Sequence, residues 1–201
     1  MDHDTTLVVS GRGTLNDIFA KAIKKEIDAT KIRKIVFAES IDVSQTVFCS
    51  YFPNIEEVKL PSETSRISVE AFKNCKQLKS LCIPPEVHSI DRAAFAGSGL
   101  QQLRLPEGVR WIYRQAFMDC SELAEDILIP ESVSKINDEV FSGLKNPIRL
   151  IFLSADTVID SNMLGEGNHD HITMVGYPGS TAEAFANEQG VRFEILPEEN
   201  V

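Results

Sequence analysis

Cysteine is the residue type in this chain with the widest chemistry, because its thiolate can bind zinc or form a disulfide. The chain has four cysteines: Cys49, Cys75, Cys82 and Cys120. None of them belongs to a C-x-x-C pair, which is the spacing typical of zinc and redox sites. Cys75 and Cys120 stand two periods of a repeat apart, so strands stacked at ~4.8 Å would separate them by roughly 10 Å. A disulfide tolerates about 7 Å between Cα atoms. We therefore expect four reduced, structural cysteines and no structural metal.

Two histidines, His169 and His171, are the other candidates for metal binding. Residues two apart in an extended segment point to the same side, so the run HDH could offer two ligands. No serine, cysteine or carboxylate constellation accompanies them, which favours solvated loop residues. The nearby GEGNHD lacks the lysine and the strand-to-helix setting of a phosphate-binding loop. The sequence therefore predicts a protein that is not an enzyme and that holds no cofactor and no metal.

The elements that would position any functional side chain come from an internal repeat. Its copies share the pattern L-x-x-L-x-L/I-P-x-x-V-x-x-I-x-x-x-A-F-x-x-C, as in LQQLRLPEGVRWIYRQAFMDC. One position recurs every 22 to 24 residues through seven copies: Val36, Lys59, Cys82, Arg104, Leu128, Ile151 and Thr173. Both neighbours of this residue are apolar in every copy, as expected of a strand with one buried face. Because no single copy can bury its own apolar face, the pattern predicts stacked parallel strands in one sheet.

Each copy contains two further apolar signals after its strand. The first is a short pair such as Val87 and Ile90, and the second is an Ala-Phe pair. We expect the phenylalanines to be buried in one stacked column: Phe72, Phe95, Phe117 and Phe141. Proline ends the strand in four copies, at a position where the backbone N–H is not needed for pairing with the next strand: Pro61, Pro84, Pro106 and Pro130.

Both ends of the array carry segments that would cover its exposed apolar surface. At the N-terminus, TLVVSG predicts a strand and LNDIFAKAIKKEID predicts an amphipathic helix. At the C-terminus, Ser180 and Glu183 fit a capping box, TAEAFANEQ predicts a helix that ends at Gly190, and VRFEIL predicts a returning strand. We expect one structural domain with three parts: a strand-helix cap over 1–31, the repeat array over 32–176 and a helix-strand cap over 177–201.

Composition and charge limit the possible partners. The 201 residues include 43% hydrophobic side chains, which is ordinary for a folded domain. The 20 basic and 30 acidic residues give a net charge of −10, which disfavours nucleic acid because phosphate binding needs a basic face. No apolar run approaches the ~18 residues of a transmembrane helix. The start MDHDTTLVVSGRG shows no signal-peptide pattern, and a chain that begins after a removed signal would look the same.

The outward-facing strand residues are the best candidates for ligand binding. Two outward columns supply the predicted site: Lys34, Glu57, Lys59, Gln102, Arg104, Asp126, Leu128, Arg149 and Ile151. Four of these residues are basic and two are acidic. The net charge of this face is therefore +2, whereas the net charge of the whole chain is −10. Neither column contains an aromatic residue, which disfavours sugars and bases as ligands. The basic stripe and the adjacent apolar residues Leu128 and Ile151 favour a protein partner. The alternative is that these two are ordinary exposed apolar residues, or that a terminal segment covers them.

The recurring motifs resemble those of the BspA-type leucine-rich repeats, a bacterial and protozoan class. The signature A-F-x-x-C stands here as AFKNC and AFMDC, and in degenerate form as AFAGS and VFSGL. The resemblance covers roughly residues 32–196. It implies an α/β solenoid: a right-handed leucine-rich repeat array of about seven copies, with one parallel β-sheet and short helical turns on the convex side.

The resemblance also carries an expectation about function. Many members of this class are secreted or surface proteins implicated in adhesion to host or matrix proteins. It therefore implies a non-catalytic protein-binding module, secreted or surface-attached if a signal sequence was removed, with a host, matrix or cell-surface protein as partner. The alternative is an intracellular, cytoplasmic scaffold or regulatory protein that uses the same face. We expect a monomer in either case.

Overall fold

The computed structural model describes residues 5–14, 25–43, 47, 51–167 and 169–197. Within these residues the chain winds into a solenoid of about seven turns, with parallel strands and little helix. Each full coil has three sides, which follow the three apolar signals of the repeat. The first side carries the L-x-L segment, the second side carries the short apolar pair, and the third side carries the Ala-Phe pair.

The first side consists of strands that pair in parallel. They are β1 (Thr6–Val9), β3 (Lys34–Phe37), β5 (Glu57–Lys59), β9 (Ile127–Ile129), β11 (Ile148–Phe152), β13 (Ile172–Gly176) and β14 (Arg192–Ile195). Val36 lies opposite Lys59, and Leu128 lies opposite Ile151, as the repeat spacing predicts. The residues that flank this column point into the core, where Ile35 is 1% exposed.

The prediction of one continuous sheet on this side is wrong. The strands form two sheets, ordered β1–β3–β5 and β9–β11–β13–β14, and the segments around Cys82 and Arg104 are not strands. Isolated backbone bonds replace the ladder there. Gln101 N donates to Lys79 O at 2.9 Å, and Ala124 N donates to Gln101 O at 3.1 Å.

Proline limits the strand ladder at this interruption, although it does not by itself abolish pairing, since β5 pairs with β3 and is followed by Pro61. Between β11 and β9, Leu153 N donates to Ile129 O at 3.1 Å and so extends the ladder. The equivalent positions in the four preceding copies are Pro61, Pro84, Pro106 and Pro130, which have no N–H to donate. Each of these joints therefore lacks one ladder bond. Between β3 and β5 the ladder persists without it, whereas no strand pairing remains around Cys82 and Arg104, where the coils stay stacked.

The last repeat strand is displaced by two residues from its predicted register. Ile151 lies opposite Val175, whereas Thr173 lies opposite Arg149. Side chains alternate with a period of two, so a two-residue shift keeps the same side chains inward. An apolar pattern cannot detect such a shift, which is why the predicted column ended at the wrong residue.

The second side is a separate parallel sheet, which the sequence marked only as a short apolar pair. Its strands, in sheet order, are β6 (Arg66–Ile67), β7 (Ser89–Ile90), β8 (Trp111–Ile112), β10 (Lys135–Ile136) and β12 (Val158–Ile159). The isoleucine of each strand faces the core. The preceding residues form an outward row in register: Arg66, Ser89, Trp111, Lys135 and Val158.

The third side is built around stacked phenylalanine rings, and the predicted buried column is confirmed. The rings are at most 2% exposed: Phe72, Phe95, Phe117 and Phe141. Successive ring centroids are 5.3, 5.3 and 5.7 Å apart, with interplanar angles of 14°, 10° and 9°. The core is therefore continuous from coil to coil along this side.

The backbone of the third side consists of tight turns rather than short helices. Within a coil, Ala71 N donates to Ser68 O at 3.1 Å; between coils, Phe72 N donates to Ala94 O at 2.7 Å. Non-glycine residues with left-handed backbone, such as Glu70 (φ 59°), recur at this position of the coil. They turn alternate N–H groups toward the next coil, which a continuous helix would not allow.

The C-terminal segment has the predicted local structure. Helix α1 (Thr181–Gln189) follows Ser180, whose hydroxyl accepts a bond from Glu183 N at 3.3 Å. The Glu183 carboxylate accepts a bond from Gly179 N at 2.6 Å, one residue before the N-cap, so the second bond of the predicted capping box is shifted by one residue. The helix ends at Gly190 with left-handed backbone (φ 67°), and β14 then pairs in parallel with β13.

The N-terminal segment is described in part. The predicted strand is β1, which pairs with β3. A second short contact joins β2 (Gly13–Thr14) to β4 (Ile41–Asp42). Most of the predicted amphipathic helix, from residue 15 to residue 24, lies outside the described residues.

The expectation of four reduced cysteines is wrong at one position. Cys75 is disulfide-bonded, whereas Cys82 and Cys120 are free. The spacing argument excluded a bond between Cys75 and Cys120, which are indeed not joined, but it did not consider neighbouring coils. The remaining cysteine of the chain, Cys49, stands roughly one repeat before Cys75 and lies outside the described residues.

Replacing Phe95 with Ala should lower the free energy of unfolding by ~3–5 kcal/mol, because the change removes a fully buried ring and leaves a cavity in the column. Denaturant unfolding of the purified protein measures this loss. The matched control is Tyr113→Ala, whose side chain is 41% exposed and which should cost far less. A loss below about 1 kcal/mol for Phe95→Ala, close to an ordinary surface change, would contradict the stacked column.

Thiol titration tests the cysteine assignment. Denatured, non-reduced protein should show the two thiols of Cys82 and Cys120, and all four should appear after reduction. In the native protein Cys82 should react first, since it is exposed, whereas burial raises the pKa of the Cys120 thiol to about 11. Four titratable thiols before reduction would overturn the disulfide at Cys75.

Candidate interaction faces

Two outward surfaces of the solenoid are candidates for binding. The first face is the outward surface of β1, β3, β5, segments 80–83 and 102–105, Asp126, β9, β11, β13 and β14. The second face is the outward surface of β6, β7, β8, β10 and β12 and of the residues just after them, 68–69, 91–92, 113–114 and 137–138. The first face contains every residue of the site predicted from the sequence.

Four predicted site residues form ion pairs across neighbouring coils of the first face. Lys34 Nζ lies 2.6 Å from Glu57 Oε1, and Arg149 Nη2 lies 2.6 Å from Asp126 Oδ2. The charges cancel within each pair. These four side chains therefore join adjacent coils and contribute little net charge to the face.

The pair of Asp126 and Arg149 is held by three hydrogen bonds. Arg149 Nε and Nη2 donate to Asp126 Oδ2 at 2.9 and 2.6 Å, and Arg149 N donates to Asp126 Oδ1 at 3.1 Å. Hydrogen bonding from the guanidinium holds the pKa of Asp126 below its ordinary value. The carboxylate thus stays ionised at neutral pH and fixes the segment before β9 against β11.

The interruption of the first-side sheet opens a groove between two coils. Its volume is about 370 Å³. The groove brings together Gln102 and Arg104 of the predicted site and places them beside Cys82. Leu81 and Leu105, which the repeat pattern predicts as core residues, are only half-buried because they line this groove.

The remaining charge and the apolar residues of the first face lie near this groove. The Arg104 side chain is 82% exposed, and its guanidinium is 3.8 Å from Glu125. Leu128 is 44% exposed and lies opposite the half-buried Ile151. The corrected register extends this apolar row to Val175, which is buried. The apolar row is therefore longer than predicted, and its exposed end is Leu128.

The second face carries most of the large exposed apolar side chains, and the sequence reasoning missed it. Of the seven such residues among those described, four lie here: Val69, Trp111, Tyr113 and Val158. Trp111 and Tyr113 flank the buried Ile112, so both side chains leave the same side of β8. An aromatic pair two residues apart was the signal that could have revealed this face.

A wide groove lies on the second face. Its volume is about 540 Å³, and it is lined by Arg66, Val69, Asp91, Arg92, Tyr113, Arg114, Asn137 and Asp138. The lining therefore combines apolar surface with three arginines and two aspartates. It belongs to four successive coils, so a ligand in this groove would run along the stack.

The two histidines form contacts that a protein loop explains. His169 Nε2 lies 3.2 Å from Gly165 O, and His171 Nε2 lies 2.9 Å from Leu144 O. Their ring nitrogens are thus directed at separate backbone carbonyls. Within the described ranges, no group of three or more His, Cys, Asp or Glu side chains is placed to hold a metal ion.

Comparison with known families identifies the class of protein. Residues 41–168 match the BspA type leucine rich repeat region in six copies, and the chain belongs to this family. Leucine-rich repeats generally mediate protein–protein interaction, and the chain is a repeat module of that kind. A search of curated proteins found no match.

Solved structures share the fold at low sequence identity. The leucine-rich repeat protein TpLRR of T. pallidum is 19% identical, with a TM-score of 0.62 over 94% of this chain and 85% of that chain. The pneumococcal vaccine antigen PcpA is 16% identical, with a TM-score of 0.55 over 83% of this chain. The chain spans 36% of the PcpA chain. Within the part of the chain that the structure describes, no helix has the length and apolar character to cross a membrane.

Replacing Asp126 with Asn should lower thermal stability at pH 7, because it removes the partner of Arg149 from a coil-to-coil contact. The loss should not exceed about 1 kcal/mol, since both side chains are partly exposed. A carboxyl whose pKa is lowered by folding stabilises the protein above its unfolded pKa, and this stabilisation disappears as pH falls through the folded pKa. The difference in melting temperature between the two proteins should therefore shrink below about pH 4.

The control is Glu107→Gln, an exposed carboxyl that forms no ion pair with any residue the structure describes. Its melting curve should follow the unmodified protein at every pH. If Asp126→Asn shows the same behaviour, then the hydrogen bonds to Arg149 do not stabilise the fold in solution.

Proposed function

We propose that this chain is a non-catalytic protein-binding module, exported or displayed at the cell surface, that binds its partner through the first face. The main support for this proposal is the groove beside Cys82, with the exposed side chains of Arg104 and Leu128 close to it. Arginine and apolar side chains in pockets supply much of the energy of protein interfaces. The groove is open, apolar in part and lacks aromatic lining, which suits a protein side chain better than a sugar or a base.

The predicted site divides into two groups under this proposal. Partner contact belongs to Lys59, Gln102, Arg104, Leu128 and Ile151. The paired residues play a supporting part, because their charges are engaged between coils: Lys34, Glu57, Asp126 and Arg149. A partner that meets this face therefore encounters the cationic side chains of Lys59 and Arg104, of which Arg104 is 82% exposed and lies 3.8 Å from Glu125.

Two observations support export. The disulfide at Cys75 is of a type that persists in oxidising compartments outside the cytosol. One structural neighbour, PcpA, is described as a vaccine antigen, although its likeness to this chain is at the level of the fold. The second candidate function is an intracellular scaffold that binds through the same face, and the exposed free thiol of Cys82 favours it. The thiol titration above separates the two, because a cytosolic chain would keep Cys75 reduced.

Substitution on the first face tests the binding surface. Arg104→Glu combined with Leu128→Asp should abolish capture of the partner from a preparation of matrix and cell-surface proteins. Circular dichroism and melting should stay nearly unchanged, because both side chains are exposed. The readout is the set of proteins retained on immobilised chain and identified by mass spectrometry.

The matched control is Lys145→Glu combined with Ala184→Asp, which makes the same change in charge at exposed positions outside both faces. This variant should retain the partner. Retention of the partner by the first-face variant, together with its loss by the control, would move the binding surface elsewhere and overturn the site.

A further inference from the structure

The second face contains an aromatic and cationic patch that the proposed function does not use. The patch is formed by six residues from three neighbouring coils: Arg66, Val69, Arg92, Trp111, Tyr113 and Arg114. Trp111 and Tyr113 are each 41% exposed, and Val69 is 42% exposed. Large aromatic side chains held on a rigid strand lose little conformational freedom on binding, which makes them effective anchors. The wide groove of the second face lies between Val69 and Tyr113.

The outward row of the second face is cationic beside the tryptophan. Arg66, Ser89, Trp111 and Lys135 follow one another in register, and this stretch contains no carboxylate. Arg110 directly precedes Trp111 and is exposed. Lys135 is paired with Asp160 at 3.1 Å, so the cationic groups near Trp111 that a ligand could engage are those of Arg66 and Arg110.

The arginines of the patch differ in how they are engaged. Arg114 Nη2 lies 2.7 Å from Glu139, and Arg92 Nη1 lies 3.5 Å from Glu70. Arg66, by contrast, forms no ion pair with any residue that the structure describes. The same holds for Arg110 within the described ranges. These two exposed guanidinium groups are available to a ligand.

Acidic groups are also present in the groove and limit the ligand. Asp91 accepts a hydrogen bond from Ser89 Oγ at 2.8 Å, and Asp138 lies near enough to Arg114 to interact with it. Both aspartates line the groove together with Arg66, and Asp91 lies beside the outward row through its bond to Ser89. A ligand with a high density of negative charge would meet repulsion there, and the net charge of −10 disfavours it more than a segment that carries only a few carboxylates. A polypeptide that alternates carboxylates with apolar side chains fits both halves of the patch.

We propose that this patch is a second binding site, which docks an acidic polypeptide segment containing apolar residues. The carboxylates of the ligand pair with Arg66 and Arg110, and its apolar side chains pack on Trp111 and in the groove between Val69 and Tyr113. Charge complementarity selects the segment, and the aromatic pair supplies the apolar contact area. This site lies on a different side of the coil from the first face and acts independently of it.

Tryptophan fluorescence provides a direct test, because Trp111 is the single tryptophan of the chain. The full chain is titrated with a synthetic peptide in which aspartates and glutamates flank two leucines. A saturable change in Trp111 emission is expected at or below about 1 mM peptide, which is weak but specific binding. The same peptide with lysines in place of the acids should produce no saturable change.

Variants separate this site from the rest of the surface. Arg66→Ser combined with Arg110→Ser should lower the affinity for the acidic peptide at least about tenfold, because two charge-assisted contacts are lost. Both side chains are exposed, so the fold should be retained. The matched control Lys76→Ser combined with Lys145→Ser removes the same charge outside both faces and should bind normally. The first-face variant Arg104→Glu with Leu128→Asp should also bind the peptide normally, whatever it does to capture of a partner.

Four results would overturn the proposal. One is no saturable response to the acidic peptide. Another is an equal response to the lysine peptide, and a third is an unchanged affinity in the Arg66 and Arg110 double variant. The fourth is a stronger response to a single-stranded oligonucleotide or a sulfated oligosaccharide, which would assign the patch to a polyanion instead of an acidic polypeptide.

Discussion

Stacking of one coil on the next is the constraint on which the rest of this structure depends. A coil of about 23 residues has no core of its own, because its apolar side chains become buried only when neighbouring coils cover them. The phenylalanine column and the turn-to-turn backbone bonds of the third side hold this stack at a nearly constant spacing. Gly99 shows how close the coils approach, since a Cβ there would lie 2.1 Å from Lys76 O.

This constraint explains why the two faces can differ without disturbing the fold. Inward side chains must match those of the coils above and below, but outward side chains meet only their neighbours in the same row. The first face uses that freedom for ion pairs such as Asp126 with Arg149, and for a groove where the strand ladder is interrupted. The second face uses it for exposed aromatics and arginines. The third side, which is the most regular, supports both.

The cysteines show how position on a coil decides chemistry. Cys120 points into the core, where burial raises the pKa of its thiol and a hydrogen bond from Sγ to Phe95 O helps to fix it. Cys82 lies on the first face beside the groove and is exposed. Cys75 shares the repeat position of Cys120 but is disulfide-bonded. One residue type therefore takes three roles, and only the first of them follows from the repeat pattern alone.

The sequence by itself determined the repeat, its period, the buried phenylalanine column and the capped C-terminal helix, because each depends on local spacing that recurs or on adjacent residues such as Ser180 and Glu183. The tertiary structure alone decided the rest. It showed that Val175 and not Thr173 continues the row of Ile151, since an alternating pattern is blind to a two-residue shift. It also showed which charges pair across coils, where the first-side sheet opens, and that Trp111 and Tyr113 share a face with Arg66. Those features depend on which residues of different coils become neighbours, and a linear pattern holds no such information until the register of the stack is known.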